Sequence, residues 1–315
     1  MKILAIIVTY NAMRWIDKCV ESLLNSTIPV DIFVKDNGST DGSMDYIKNL
    51  CNNRIVKLVC GGNIGFGKAN NIGLQFAIKN HYDYVYLINQ DAWVLRDTIS
   101  RLIEVHQQNK NYGILSPLQY KANLYDLDAN FYSGTCSYSQ NKQLLSDLFN
   151  NEVKEVYEVP MVMASHWLIS INCLVEVGGF SPAFHLYGED DNFAQRTVFF
   201  NYKIGIVPSA KAVHDRGERI ATRSHNIKLA NANTLKNLLN PNISKRQKIT
   251  RVCKGLIQNC CRCKSIRPAL YLIKLIFNIR DLIKIYKNSK ISKCAYYEKN
   301  TSNIDFCCNL WQGKV

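Results

Sequence analysis

Ile3-Leu4-Ala5-Ile6-Ile7-Val8-Thr9-Tyr10-Asn11 opens the chain with an apolar run, rich in β-branched residues, that ends in polar groups. A continuous run of this kind reads as a strand buried on both faces, because a half-exposed strand would alternate. It also has the look of a short signal peptide. Lys2 is the one basic residue ahead of it, however, and no small-residue cleavage site follows, so the buried strand is the better reading.

Working outward, Trp15, Cys19, Val20, Leu23 and Leu24 fall at helical spacing, and Val30–Lys35 reads as a second strand. Met44, Ile47 and Leu50 give a short helix, Ile55–Val59 a third strand, Ile72–Ile78 a helical face and Tyr84–Ile88 a fourth strand. Strands alternating with helices predict an α/β fold with a parallel sheet covered on both faces. The stretch 120–185 mixes strand-like pieces with the apolar segment Met161–Val177. A strand-like Lys203–Val207 then leads to His214, and from about residue 221 the pattern is helical and increasingly basic.

The 315 residues are 47% hydrophobic and 20% charged, enough for a sizeable core and unlike a disordered chain. No run of ~20 uncharged apolar residues appears, so no spanning helix is expected. The net charge of +14 is unevenly placed: 16 of the 39 Lys+Arg but only 3 of the 25 Asp+Glu lie in residues 241–315. The charge therefore belongs to the tail, and it suggests an acidic surface as that segment's partner. Of the twelve cysteines, Cys19, Cys51, Cys60, Cys136 and Cys173 sit mostly in apolar surroundings and read as buried thiols rather than a disulfide framework.

Ligands of such sheets bind at the carboxyl ends of the strands. Those ends read Thr9-Tyr10-Asn11, Asp36-Asn37-Gly38-Ser39-Thr40-Asp41-Gly42, Gly61-Gly62-Asn63-Ile64-Gly65-Phe66-Gly67 and Asn89-Gln90-Asp91. Ser39, Thr40 and Asp41 read as turn and capping residues, whereas the Asp36 carboxylate is placed to accept the imide N–H of a uracil or thymine. Glycines in the third loop permit close backbone approach, and its asparagines supply uncharged donors and acceptors. Asp91 at a strand end is a natural ligand for Mg²⁺ or Mn²⁺. Glu189-Asp190-Asp191 is partly explained by a helix dipole, but three adjacent acids repel, a cost better tolerated where a base or a metal is needed.

These segments, with Gly178-Gly179-Phe180 and Tyr187-Gly188-Glu189-Asp190, occur in order and closely resemble inverting family 2 glycosyltransferases of the GT-A fold. The likeness is greatest to the rhamnosyltransferase- and galactofuranosyltransferase-like branch, and it covers about residues 1–235. The resemblance implies a Rossmann-like, mostly parallel sheet flanked by helices. It implies a catalytic domain over 1–240, divided into a nucleotide-sugar half (1–120) and an acceptor half (121–240), followed by a basic, Cys-rich helical extension over 241–315. It places Thr9, Tyr10, Asn11, Asp36, Asn63, Gly65, Phe66 and Asn70 on the donor nucleotide, Asp91 and His214 on Mg²⁺ or Mn²⁺, and Asp190 as catalytic base. Trp167, Glu189, Arg216 and Arg219 are the further candidates for acceptor or diphosphate. Three departures stand out: Asn89 replaces the first acid of the metal motif, Ser181-Pro182-Ala183 follows Gly179-Phe180, and Asn192 stands where a second acid is usual.

The implied activity is metal-assisted single displacement from a nucleoside-diphosphate sugar to a glycan or lipid-linked acceptor, in cell-surface polysaccharide synthesis. A sugar-nucleotide pyrophosphorylase is the first alternative, but Thr9-Tyr10-Asn11-Ala12 is not the basic Gly-rich loop it would need. A nucleic-acid-binding protein using the tail is the second, and no interleaved stacking aromatics support it. A binding module without catalysis is the third, given Asn89 and Asn192. Within the tail, Ala269–Lys287 is amphipathic, which fits either a packed helix or an interfacial helix on an anionic membrane. The expected location is cytoplasmic and peripheral on the inner membrane face. Cys260-Cys261-Arg262-Cys263 has the spacing of one zinc half-site, but Cys307-Cys308 is the wrong second pair.

Overall fold

The computed structural model describes residues 1–50, 54–137, 139–216 and 222–278. The first half runs β1 (Ile3–Thr9), α1 (Ile16–Leu24), β2 (Asp31–Asp36), α2 (Ser43–Asn49), β3 (Ile55–Val59), α3 (Phe66–Lys79), β4 (Tyr84–Asn89), β5 (Ala92–Val94), α4 (Thr98–Gln108) and β6 (Tyr112–Tyr120). The second runs α5 (Ala129–Phe131), α6 (Lys142–Asn150), β7 (Tyr157–Glu158), β8 (His166–Ser170), α7 (Ile171–Val177), α8 (Glu189–Phe199), β9 (Lys203–His214), α9 (Arg223–Leu239), α10 (Lys245–Cys263) and α11 (Arg267–Phe277).

The strands form one sheet in the order β3-β2-β1-β4-β8-β6-β9-β5, with β7 also on β9. From β3 to β4 every pairing is parallel; beyond β4 the sheet is mixed, with β8 antiparallel to both β4 and β6 and with β6 parallel to β9. The alternating stretch β1–β4 thus forms the parallel sheet its sequence predicts, while β5, β7 and β8 pair antiparallel. Side chains of β1 divide between two cores. Ile3, Ala5 and Ile7 pack with Ile16, Cys19, Val20 and Leu23 of α1 and Leu102 of α4; Leu4 and Ile6 face Leu74 and Ala77 of α3. Helices therefore cover both faces of β1, which is why the run is apolar without alternation.

The second strand shifts by one residue and the fourth ends one residue later, and two boundaries move further. The apolar stretch Met161–Val177 holds both β8 and α7, the change made at Ser170, whose hydroxyl accepts the Cys173 N–H and caps the helix. Strand β9 continues past Val207 to His214, with the β6–β9 register slipping between Pro117 and Leu118. Pro208 has no N–H for the ladder, so it marks an irregularity in the strand rather than its end.

The extension is not a free tail at its start. Helix α10 begins at a capping box, the Ser244 hydroxyl accepting from Gln247 N–H and the Gln247 side chain from Ser244 N–H. Its Cys263 is buried with Ile227 and Ala230 of α9. Among the described residues no helix is long and apolar enough to cross a membrane. Cys294, Cys307, Cys308 and the end of the amphipathic stretch Ala269–Lys287 lie outside the described residues.

A Cβ added at Gly73 would lie 2.8 Å from Ile6 Cδ1 and Cγ2, so this glycine sets how closely α3 approaches β1. Gly73→Val is expected to lower stability by about 1–3 kcal/mol through overpacking. Thermal and denaturant unfolding measure it, and an unchanged midpoint would mean that the helix is free to shift.

Candidate active site

The β2 end is tied into a polar knot. Asp36 Oδ1 accepts from the Thr9 hydroxyl at 3.0 Å and the Ser39 hydroxyl at 2.5 Å, and Oδ2 from the backbone N–H of Gly38 at 2.9 Å and Ser39 at 3.0 Å. Burial pushes this carboxyl's pKa up, but the hydrogen bonds from Ser39, Gly38 and Thr9 outweigh it and the net shift is downward. With two donors on each oxygen the carboxylate is filled. These bonds hold the β1 and β2 loops together. Asn11 belongs to the same knot. Its N–H donates to the Ser39 hydroxyl and its side-chain oxygen accepts from Thr40 N–H.

Beyond the knot, a cavity of about 590 Å³ opens at the strand ends. Thr9, Tyr10, Asn63, Gly65 and Phe66 line one part of it, and Asp91, His214, Glu189, Asp190 and Arg216 the rest. Gln90, Met163, Ser165, His185 and Tyr187 also line it, without having been singled out as candidates in the sequence. Gln90 has a local reason to be there. Its side-chain oxygen accepts from Tyr10 N–H at 2.7 Å and its amide donates to the Tyr10 carbonyl at 3.1 Å, clipping the ends of β1 and β4 together.

Asp91 and His214 meet because β5 pairs antiparallel with the end of β9, Ala92 opposite His214. His214 Nε2 lies 3.4 Å from Asp91 Oδ1, and both side chains are buried. His214 Nδ1 and Asn89 Oδ1 are also buried and have no hydrogen-bond partner. A carboxylate oxygen, an imidazole nitrogen and orphaned polar atoms beside them suit a divalent cation. Among the described residues no group of three or more His, Cys, Asp and Glu is arranged to hold a metal ion.

The three acids at the start of α8 divide their roles. Gly188, in the left-handed region at φ +85, turns the chain into the helix. Asp191 pairs with Lys236 of α9 at 3.1 Å. Glu189 is buried, with Oε2 unpartnered. Asp190 is half-buried on the cavity wall, its Oδ1 accepting the Asp191 N–H at 2.9 Å. Burial first, and then the neighbouring carboxylates, push both Glu189 and Asp190 above the ordinary carboxylate range.

Gly65 shapes the opposite wall. It has φ +87, and a Cβ there would lie 2.4 Å from the His185 carbonyl. Asn63 Oδ1 accepts the Gly65 N–H at 3.0 Å. Two other expected contacts fall elsewhere. Asn70 is buried in α3 and donates to the Phe66 carbonyl, so it supports the helix rather than the donor. Trp167 is fully buried, stacked on Phe180 with its indole N–H on the Val162 carbonyl, which corrects its assignment to acceptor or diphosphate. Arg216 pairs with Asp128 at 3.0 Å while lining the cavity; Arg219 lies outside the described residues.

Glu189 offers a test of this electrostatics. Its pKa is raised in the folded state, so it costs nothing where it is protonated in both states and lowers stability as pH rises above the unfolded value of about 4.3. Glu189→Gln is expected to gain on the wild type by about 1 kcal/mol or more between roughly pH 5 and neutrality. Melting temperatures across that range check it, and a pH-independent difference would count against a raised pKa.

Residues 4–147 match the family model described as glycosyl transferase family 2. The dTDP-rhamnosyl transferase RfbF of Shigella flexneri is 23% identical over 219 residues, 69% of this chain and 70% of that protein. The rhamnosyltransferase WbbL of Escherichia coli K12 is 23% identical over 221 residues, 66% of this chain and 81% of its own length. Among solved structures, Staphylococcus aureus TarS residues 1–349 in complex with UDP-GlcNAc superposes with a TM-score of 0.58 at 15% identity, over 95% of this chain and 92% of that one. The mannosyltransferase PcManGT of Pyrobaculum calidifontis, in complex with GDP-Man and Mn²⁺, gives 0.57 at 15% identity over 99% and 88%. At such identity these two establish the fold, which is GT-A. The chain is a glycosyltransferase, with its family 2 domain at residues 4–147.

Proposed function

We propose that the chain transfers a sugar from a nucleoside-diphosphate donor to a hydroxyl of a glycan or lipid-linked acceptor, with inversion at the anomeric carbon. The observation that carries this reading is that Asp190 and the Asp91–His214 pair line one cavity at the strand ends. The relatives' names, dTDP-rhamnosyl transferase among them, and the nucleotide sugars in the neighbours' titles support the donor class.

In a single displacement the acceptor oxygen bonds to the anomeric carbon as the bond from that carbon to the diphosphate oxygen breaks. The acceptor proton passes to Asp190, and the diphosphate departs with the electron pair. A carboxyl with a raised pKa is a better base than an ordinary one and is still ionised near neutrality. Asp91 and His214 would hold Mg²⁺ or Mn²⁺, and a cation bound there supplies Lewis-acid stabilisation of the charge left on the diphosphate. Thr9, Tyr10, Asn63, Gly65 and Phe66 enclose the donor, with the half-exposed Tyr10 ring offering a stacking face. A base beside a cation-binding pair favours a working transferase over a binding module.

The extension gives the enzyme its place. Helix α11 exposes Leu270, Ile273, Ile276 and Phe277 in a segment dense in Lys and Arg. Such a helix lies on an anionic bilayer, with its apolar side chains at the acyl boundary and its cations at the headgroups.

Thermal-shift screening against UDP-, GDP- and dTDP-sugars with Mn²⁺ identifies the donor, since binding to the native state alone raises the melting temperature. With that donor, Asp190→Asn is expected to retain the shift and to lose transfer by about 10²-fold or more; unchanged transfer would remove Asp190 as the base. The ionised form of Asp190 is the active one, so turnover should fall as pH drops towards the raised pKa, at a higher pH than an ordinary carboxylate would give. EDTA is expected to abolish transfer and Mn²⁺ or Mg²⁺ to restore it. Vesicles of phosphatidylglycerol should sediment the protein at low salt and release it at 1 M NaCl. Equal sedimentation with phosphatidylcholine vesicles would argue against an electrostatic attachment.

A further inference from the structure

A second cavity, of about 440 Å³, is also lined by Asp190. It shares Met163, Tyr187, Glu189 and Asp190 with the cavity at the strand ends, so the two spaces meet at the proposed base. Its far wall is helical: Asn226, Asn233 and Lys236 come from α9, and Asn259 and Arg262 from α10, the first helix of the basic extension. Its volume falls within the ~300–1,000 Å³ of small-molecule sites.

We propose that this cavity receives the terminal sugar of the acceptor, and that α10 is therefore part of the active site rather than only a tether. The proposal rests on the reading of the chain as a transferase with Asp190 as base. A base that takes the acceptor's proton must touch the acceptor, while the donor fills the strand-end cavity. The space that meets the donor cavity at Asp190 is where such an acceptor fits.

The lining indicates the chemical class. The side-chain amides of Asn226, Asn233 and Asn259 make no hydrogen bond to any described residue, which leaves three donor–acceptor groups for a ligand. Lys236 is already held by Asp191 at 3.1 Å. The cations of Lys236 and Arg262 are matched by the carboxylates of Asp190 and Asp191, so the cavity holds no excess positive charge for a phosphate or carboxylate group. Met161 and Leu229 add apolar surface for the C–H face of a ring. Free amides beside an apolar patch suit a neutral pyranose, whose hydroxyls both give and accept hydrogen bonds.

The test uses the full chain, the donor identified by thermal shift, and octyl glycosides of glucose, galactose, N-acetylglucosamine and rhamnose as acceptors. For whichever glycoside is used, Asn233→Leu and Asn259→Trp are each expected to raise the acceptor KM at least tenfold. Both should keep the wild-type melting temperature and its donor-induced rise. Unchanged acceptor KM in both variants would overturn the proposal. So would a wild type that turns over donor but uses none of the four glycosides, because the site would then not take a neutral terminal sugar. A wild type that shows no donor-induced rise and no donor turnover would instead strike at the underlying reading of the chain.

Discussion

Strand β1 is sealed between two layers of helices, and the rest of the molecule is arranged around that fact. Its odd-numbered residues pack under α1 and α4 and its even-numbered ones under α3. A strand covered on both faces can meet solvent only at its ends. The ends of β1, β2 and β4 carry Thr9, Asp36 and Asn89, where backbone and side-chain polar groups must find partners or a ligand. The site is thus the place where the core stops. Gly73 keeps α3 close enough for that seal, and the Asn71 amide, bonded both ways to the Phe180 backbone, ties α3 to the segment before α8.

Within that rim the buried polar groups fall into two kinds. Some are fully partnered and serve the architecture. Asp36 accepts four hydrogen bonds, and Gln90 exchanges two with the Tyr10 backbone. Others are left short. Glu189 Oε2, Asn89 Oδ1 and His214 Nδ1 are buried without a partner. Such groups cost stability, and these three residues line the same cavity as Asp91 and Asp190.

Much of this was legible in the chain. Ile3–Thr9 and Ile55–Val59 were readable to the residue because an apolar run bounded by polar groups has sharp ends. Asp91, Asp190 and His214 were readable as candidates because acids at strand and helix starts are unusual without a use. Trp167 was misread, and Asn70 and Asp36 carry internal bonds that their motifs do not announce. Residue type and position in a motif do not reveal whether a side chain is already spent on an internal partner. Trp167 is stacked on Phe180, Asn70 is bonded to Phe66, and Asp36 is filled by Thr9, Gly38 and Ser39.

By itself the sequence determined the strand–helix alternation of the first half, the rim of polar strand ends and the concentration of charge beyond residue 240. These follow from local periodicity and composition, which every short window of the chain carries. Tertiary structure decided that the sheet turns mixed beyond β4, that Asp91 lies beside His214, and that Asp190 lines two cavities, one of them walled by α10. Those are pairings across 47 to 123 residues of chain, set by which strands and helices close against one another. No local pattern encodes a distance of that kind.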